Sequence, residues 1–76
     1  MKIFIIGGAG YIGSHMVKIA YLAGHSVVTI DNLSTGHRDA VLHGEFENCD
    51  LLNLKKLDSL FKKYKPDAVM HFGAFS

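Results

Sequence analysis

Glycine is concentrated in one short segment near the start of the 76-residue chain. The segment reads GGAGYIGSH, and its glycines fit both G-x-G-x-x-G, through Gly8, Gly10 and Gly13, and G-x-x-G-x-x-G, which begins instead at Gly7. Without side chains at these positions, a backbone turn can approach a pyrophosphate closely, and the amino end of a following helix offers it free N–H groups and a positive dipole end. Glycine-rich turns also match such spacings by chance, so a second feature is needed to indicate a dinucleotide site.

Asp31 supplies that second feature. It follows a β-branched run, SVVTI, and lies 18 residues beyond Gly13. A carboxylate in that position accepts hydrogen bonds from the ribose hydroxyls of adenosine and repels a 2′-phosphate, which favours NAD over NADP. Arg38 follows seven residues later, too late to clamp a 2′-phosphate. The glycines and Asp31 together predict NAD binding; the simpler interpretation is a glycine turn followed by a solvated aspartate.

The apolar pattern defines the elements that must position these residues. Short runs rich in isoleucine and valine predict strands buried on both faces, and apolar residues spaced three or four apart predict helices. The predicted strands are residues 2–6, 26–30, 41–49 and 68–72, and the predicted helices are residues 11–23 and 53–64. This order predicts an α/β fold, the N-terminal half of a Rossmann-type doubly wound parallel sheet (β-α-β-β-α-β, strand order 3-2-1-4). The fourth strand is then a bare edge, which indicates missing chain or self-association.

Each predicted helix has an apolar face and an end signal. The face of the first helix consists of Ile12, Met16, Ile19, Ala20 and Ala23. Gly24 stands where a helix favours a left-handed residue at its end. The stripe of the second helix consists of Leu54, Leu57, Leu60, Phe61 and Tyr64, and Asn53 is its predicted N-cap. In the third strand only Phe46 and Cys49 are expected to face inward.

Length and composition exclude several function classes. The chain has a net charge of +1 and is 49% apolar, which fits a globular protein better than a nucleic-acid or membrane-surface binder. Its apolar runs are far shorter than the roughly 20 residues of a membrane span. The single cysteine, Cys49, excludes an internal disulfide, fits a cytoplasmic protein and is expected to be a core residue. The five histidines lack metal-ligand spacing, so no metal site is predicted.

Three segments together resemble one family. GGAGYIGSH, DNLSTGHR and KPDAVMHFGAFS are similar to segments of the UDP-glucose 4-epimerases, which are extended short-chain dehydrogenases/reductases. The resemblance covers nearly the whole chain, but only the N-terminal part of such an enzyme. It implies a partial NAD-binding Rossmann domain over residues 1–76 and a homodimer. For the complete enzyme it implies interconversion of UDP-glucose and UDP-galactose through a 4-keto intermediate, with transient hydride transfer to NAD.

The resemblance also implies which residues bind the cofactor: the backbone at the start of the first helix meets the pyrophosphate, and the three later segments surround the ribose, the adenine and the rest of the cofactor. The implied set is Gly7, Gly10, Tyr11, Ile12, Gly13, Asp31, Asn32, Ser34, Thr35, Gly36, Asp50, Leu51, Phe72, Gly73, Ala74, Phe75 and Ser76. Three positions depart from the family pattern, since Ile6 stands where relatives usually have threonine, Gly73 replaces a common alanine, and Ser76 falls where some members have a lysine. None of these differences removes the cofactor site.

The catalytic pair of the superfamily is absent from these 76 residues. In that superfamily a Tyr-x-x-x-Lys motif supplies the general base and the lysine that lowers its pKa. Tyr11, Tyr21 and Tyr64 are followed four residues later by histidine, histidine and alanine. We therefore predict no catalytic residue in this chain and no activity of the chain alone. Two alternatives stay open: another nucleotide-sugar dehydratase or decarboxylase of the superfamily, and a non-catalytic nucleotide-binding module.

Overall fold

The computed structural model describes residues 1–7, 11–32 and 43–72. The strands are β1 (Lys2–Ile6), β2 (Ser26–Asp31), β3 (Glu45–Asn48) and β4 (Ala68–His71), and the helices are α1 (Tyr11–Leu22) and α2 (Leu54–Tyr64). All six predicted elements are therefore present. Their bounds agree with the predicted ones to within one residue, except at β3.

The four strands form one parallel sheet in the order β3-β2-β1-β4, as the alternation of strands and helices predicts. In the register, Ile6 of β1 pairs with Ile30 of β2 on one side and with His71 of β4 on the other. The two central strands, β1 and β2, are buried along nearly their whole length. The fold is thus the first half of a doubly wound Rossmann-type sheet.

Alternate residues of β1 enter two separate apolar cores. The core that includes α1 contains Ile3, Ile5, Val17, Ala20 and Val27. The core that includes α2 contains Phe4, Ile6, Val28, Ile30, Cys49 and Leu60. Because successive strand residues point to opposite faces of a sheet, α1 and α2 lie on opposite faces. Both faces of the central strands are covered, which explains their continuous rather than alternating hydrophobicity.

The buried face of α1 differs from the predicted face. Gly13, Val17 and Ala20 are the buried residues of this helix. Ile12 and Ile19, which were predicted to pack inward, are 64% and 60% exposed. Of the five residues predicted for this face, only Ala20 is fully buried, and the prediction is wrong for most of it.

Side-chain size explains which face of α1 is buried. Lys18 is the single Lys, Arg, Asp or Glu of α1, so apolar residues surround the helix and hydrophobicity does not select one side. Gly13 has no side chain and therefore lets the helix backbone lie close to the sheet, which favours the side that carries it. Met16 is partly buried beside this face, and Ala23 lies in the exposed turn after the helix.

The end of α1 is set by Gly24, as predicted. This residue has a φ of 92°, which is the left-handed region that favours glycine. The N–H of His25 donates to the carbonyl of Ala20 at 3.1 Å, and the N–H of Gly24 donates to Tyr21 at 3.1 Å. These two hydrogen bonds make up a Schellman motif, which satisfies carbonyls that the helix end leaves open.

Both ends of α2 are capped. The side chain of Asn53 accepts a hydrogen bond from the N–H of Lys56 at 3.2 Å, which confirms the predicted N-cap. At the other end Lys65 adopts a left-handed φ of 50° and donates its N–H to the carbonyl of Phe61. The sequence does not reveal this conformation because the residue is not glycine, although Pro66 predicts that the helix ends here. Leu54 was predicted to face the core but is 72% exposed, since the packed stripe of α2 begins one turn later.

The third strand is shorter than predicted. Residues 41 and 42 lie outside the described residues, and β3 begins only at Glu45. Gly44, directly before it, has a φ of 76°, which is incompatible with extended strand geometry. The two inward-facing predictions hold, because Cys49 is 3% exposed and Phe46 is partly buried.

Polar side chains join α2 to β3. The hydroxyl of Tyr64 donates to Glu47 Oε2 at 2.5 Å, and Lys63 Nζ lies 3.4 Å from the same oxygen. Lys56 Nζ donates to the main-chain carbonyl of Asn48. These five residues are referred to below as the α2–β3 clamp.

The clamp shifts the pKa of both titratable groups at its centre. The hydrogen bond from Tyr64 holds the pKa of Glu47 below its usual value of 4.5, and Lys63 and Lys56 act in the same direction against the opposing effect of burial. The same hydrogen bond raises the pKa of Tyr64 above its usual value of 10.0. Glu47 therefore stabilises the fold above its unfolded pKa, and this contribution is lost as the pH falls through its folded pKa. Tyr64 contributes below its unfolded pKa, and its contribution is lost as the pH rises through its folded pKa.

We predict that Gly44→Ala destabilises the fold more than Gly24→Ala. A Cβ at Gly44 would lie 2.5 Å from the carbonyl oxygen of Val27, whereas a Cβ at Gly24 meets nothing within 4 Å. Both changes place alanine in a left-handed conformation, which costs about 1–2 kcal/mol. Only Gly44→Ala adds a steric cost, about 1–3 kcal/mol of overpacking. Urea unfolding measures the difference, and equal losses for the two variants would contradict it.

We also predict that Tyr64→Phe lowers the free energy of unfolding by about 1 kcal/mol near neutral pH, because Glu47 loses a hydrogen-bond donor. The difference from wild type should shrink as the pH falls through the lowered pKa of Glu47, and also as the pH rises through the raised pKa of Tyr64. Urea unfolding at three pH values tests this. Tyr21→Phe is the control, since the Tyr21 ring stacks on His43 at 5.0 Å and phenylalanine keeps that ring. A loss in the free energy of unfolding that does not change with pH would contradict a stabilising hydrogen bond between Tyr64 and Glu47.

Candidate functional site

The carboxyl ends of the four parallel strands lie at one edge of the sheet. The residue after each of three strands continues the hydrogen-bonded ladder onto the neighbouring strand, with N–H to O=C bonds from Gly7 to Ile30 at 2.8 Å, from Cys49 to Asp31 at 3.1 Å and from Phe72 to Ile6 at 2.7 Å. One main-chain hydrogen bond therefore fixes the backbone at each of the three points where it leaves a strand. In open parallel sheets, ligands bind at this edge, where neighbouring connections diverge to the two faces.

The glycine segment leads from β1 to α1 at this edge. Gly7 has a φ of 83° and turns the chain out of β1, and α1 begins at Tyr11. Residues 8–10, with the predicted site residue Gly10, lie outside the described residues. Tyr11 and Ile12 are exposed in the first turn of α1, and that turn contains no acidic residue. The N–H groups and dipole at the amino end of α1 therefore suit an anion.

Asp31 ends β2 beside that turn. Its side chain lies on the same face of the sheet as α1, because it alternates with Ile30 and shares the face of Val27, which packs against α1. Asp31 is 8% exposed, and Asn48 is its register partner on β3. Thr29 lies on the same face, and its buried Oγ1 has no hydrogen-bond partner within the described part of the chain. The structure thus brings the carboxylate and the amino end of α1 to one face and one edge.

Asn32 follows Asp31 and is exposed. The predicted ribose contacts Ser34, Thr35 and Gly36 fall outside the described residues. So do Gly73, Ala74, Phe75 and Ser76, which were predicted to line the cofactor. Phe72 itself is described, is partly buried, and packs beside the core that includes α1.

Asp50 and Leu51 form the turn that joins β3 to α2. Asp50 Oδ1 accepts a hydrogen bond from the N–H of Leu52 at 2.9 Å, and the Asp50 carbonyl accepts one from Asn53 at 2.9 Å. The carboxylate therefore shapes the turn while remaining exposed, and Leu51 is partly buried against the core that includes α2. Asp50 remains accessible to a ligand at the carboxyl edge.

Cys49 is a core residue, as predicted. Its Sγ lies 3.3 Å from the Asp50 carbonyl, to which it donates, and burial raises the pKa of the thiol. A raised pKa lowers the fraction of reactive thiolate. The position therefore fits a packing role better than a nucleophilic one.

Other candidate sites have little support. Within residues 1–7, 11–32 and 43–72, no three His, Cys, Asp or Glu residues form a group that could hold a metal ion. Neither described helix is long and apolar enough to cross a membrane. The basic outer side of α2 includes an exposed pair of Lys62 and Asp58 at 3.0 Å, which is typical of a solvated helix face.

The α2–β3 clamp is the part of this region that sequence analysis missed. Glu47 and Tyr64 lie 17 residues apart, on a strand and a helix whose relative position a sequence pattern does not reveal. The strand order was predictable, but the pairing of these two side chains depends on the side-chain lengths and the helix rotation. The available signal was that Glu47 lies two residues before Cys49, so strand alternation puts a glutamate on the face of a residue predicted to be buried.

Comparison with known proteins supports this geometry. A model of the NAD dependent epimerase/dehydratase family matches residues 3–76. A UDP-glucose 4-epimerase from Lacticaseibacillus casei is 48% identical over 77 aligned residues, which cover 100% of this chain and 23% of the relative. The crystal structure of UDP-glucose 4-epimerase from Brucella ovis in complex with NAD matches with a TM-score of 0.95 at 44% identity, over 99% of this chain and 23% of that one. The Thermotoga maritima enzyme with UDP-glucose matches with a TM-score of 0.93 at 32% identity, over 100% of this chain and 25% of that one.

The chain spans about a quarter of the length of these relatives. Within that part, the correspondence includes the parallel sheet and both helices, and the family match extends over nearly every residue of the chain. On this evidence the chain belongs to the NAD dependent epimerase/dehydratase family.

Proposed function

We propose that this chain binds NAD at the carboxyl edge of its sheet and forms the N-terminal, NAD-binding part of a UDP-glucose 4-epimerase. The observation that carries the proposal is the placement of Asp31, which ends β2 on the face of α1 and at the edge where α1 begins. The donors fit the cofactor, because a helix amino end without acidic residues suits the pyrophosphate and a strand-end carboxylate suits ribose hydroxyls. Residues 1–76 would then be a partial Rossmann domain.

The proposed contacts follow the order of the strands. Gly7, Gly10 and Gly13 allow close approach of the backbone, and Tyr11 and Ile12 offer main-chain N–H groups to the phosphates. The adenosine contacts proposed are Asp31, Asn32, Ser34, Thr35, Gly36, Asp50 and Leu51. The contacts proposed along the remainder of the cofactor are Phe72, Gly73, Ala74, Phe75 and Ser76.

When bound, NAD would accept a hydride from the sugar and return it. The chain's own residues would bind and orient the cofactor, and the charge of Asp31 would oppose a 2′-phosphate. The base that takes the sugar hydroxyl proton is proposed to lie in the rest of the polypeptide, since no tyrosine of these 76 residues begins Tyr-x-x-x-Lys. Interconversion of UDP-glucose and UDP-galactose is therefore proposed for the whole protein.

Epimerisation is preferred to the same-family dehydratase and decarboxylase alternatives because of the 48% identity to a UDP-glucose 4-epimerase. A module that binds nucleotides without catalysis is the other alternative, and an assay of the complete polypeptide separates it from an enzyme. The homodimer and the cytoplasmic location stay predictions.

We predict that Asp31→Ala weakens NAD binding by about 1.5–3 kcal/mol, the scale of a hydrogen bond to a charged group. Isothermal titration calorimetry on the folded chain measures this, with far-UV circular dichroism to verify folding. Asp58→Ala is the matched control, because Asp58 is exposed and pairs with Lys62 on α2. Asp31→Asn should also reduce the preference for NAD over NADP, because it removes the repelling charge. Equal NAD affinity for wild type and Asp31→Ala would contradict the role of Asp31.

We further predict that the 76 residues alone, supplied with NAD, interconvert no UDP-sugars, because the Tyr-x-x-x-Lys pair is absent from them. Chromatographic separation of UDP-glucose and UDP-galactose after long incubation provides the measurement. The complete polypeptide encoded by the gene is the comparison, and there we expect turnover. Conversion above background by a verified 76-residue sample would refute the prediction.

A further inference from the structure

The strand that leads to the proposed adenosine contacts Asp50 and Leu51 is held by few main-chain interactions. β3 is four residues long and lies at the end of the strand order, where β2 is its neighbour. Its register sets Asn48 opposite Asp31, so Asp50 follows two residues after a point fixed against Asp31. Short edge strands resist slippage only weakly, and a one-residue slip moves every side chain to the other face.

The α2–β3 clamp adds side-chain contacts to two consecutive residues of this strand. Tyr64 and Lys63 bind Glu47 on the α2 face, and Lys56 binds the carbonyl of Asn48. Glu47 pairs in register with Ile30, a residue of the core that includes α2. A carboxylate facing that layer is costly without a donor, so Tyr64 both satisfies it and fixes its position.

Packing does not require the Tyr64 hydroxyl. The Tyr64 ring lies edge-on to Phe4 at 5.7 Å, and Phe61 makes the same type of contact with Phe4 at 5.0 Å without a hydroxyl. The interaction of the hydroxyl is therefore its hydrogen bond to Glu47, which restrains the last residues of β3.

Hydrogen bonds transmit that restraint to the site. The Cys49 N–H donates to the carbonyl of Asp31, and the Leu52 and Asn53 N–H groups donate to Asp50. The segment from Glu47 to the first turn of α2 is thus held by hydrogen bonds within its own turn and by side chains of α2. Movement of β3 would shift Asp50 and Leu51 relative to Asp31.

We propose that Tyr64 is a positioning residue for the adenosine end of the nucleotide site, acting through Glu47 to hold the end of β3 in register with Asp31. The proposal rests on the proposed function, because the adenosine contacts of Asp50 and Leu51 belong to it. Tyr64 packs on the opposite face of the sheet from α1 and is not among the proposed nucleotide contacts.

The test compares three variants of the chain by calorimetry with NAD and with ADP, and by amide hydrogen exchange without nucleotide. Tyr64→Phe removes the hydroxyl and keeps the ring. Glu47→Gln keeps an acceptor for that hydroxyl. Asp67→Ala is the matched control, since Asp67 Oδ2 accepts a hydrogen bond from the Lys2 N–H at 2.7 Å at the opposite edge of the sheet.

We expect Tyr64→Phe to weaken both NAD and ADP by about three- to tenfold, the affinity equivalent of one hydrogen bond. Amide exchange should accelerate more at Cys49, Leu52 and Asn53 than at Gly7 and Phe72, where only the loss of global stability acts. Glu47→Gln should stay close to wild type, and Asp67→Ala should leave both affinities unchanged. Uniformly faster exchange would indicate mere loss of stability and would overturn the proposal.

Two further outcomes separate the proposal from the function on which it rests. If wild type binds NAD and ADP, and Tyr64→Phe binds them equally well, the role of Tyr64 is wrong and the NAD site stands. If wild type binds neither nucleotide, the site itself is wrong, and the positioning role is overturned with it.

Discussion

Parallel pairing of β1 with β2 places Ile6 opposite Ile30, and the candidate site takes its position from that pairing. One residue further, Gly7 donates its N–H to the Ile30 carbonyl, so the chain enters the glycine turn beside Asp31. A slip of one residue would turn Asp31 toward the α2 core and exchange the two apolar faces of β2. Burial of both faces makes that exchange costly and so holds the register on which the site depends.

The two helices are fixed to the sheet by different means. α1 packs through a glycine and small apolar residues, which bring its backbone, and with it the amino end, close to the strands. α2 packs through larger side chains and through the clamp to Glu47 and Asn48. The first arrangement depends on the shape of the backbone, and the second depends on particular polar groups. Substitutions should therefore affect the two halves of the site in different ways.

Much of the fold could be predicted from local signals. The continuous apolar run of β1, the left-handed Gly24 and the Asn53 cap each act within a few residues, and the structure confirms all three. The strand order followed from the alternation of elements. The glycine segment and Asp31 predict a nucleotide site at the carboxyl edge, and that site stays a proposal.

Features that depend on tertiary contacts could not be predicted in the same way. The face of α1 was predicted wrongly because apolar residues lie all round that helix, and its packing is decided by closeness to the sheet. The predicted start of β3 was wrong because Gly44 must pass close to the carbonyl of Val27, which lies 17 residues earlier in the sequence. The Tyr64 hydroxyl and Glu47 are as far apart in sequence. Contacts between residues this far apart do not appear in the hydrophobic periodicity from which helices and strands are predicted.

The phosphate end and the adenosine end of the proposed nucleotide site are positioned by different parts of the fold. At the proposed phosphate end, the contacts would come from main-chain N–H groups at the start of α1, which follows β1 directly in the chain. At the proposed adenosine end, Asp31 ends β2 and Asp50 follows β3, so the β2–β3 pairing must hold the two carboxylates relative to each other. The β3 edge gains a second restraint from α2, because four ladder residues alone hold it weakly. A single hydroxyl on the far side of the sheet can therefore affect adenosine affinity while the phosphate end keeps its geometry.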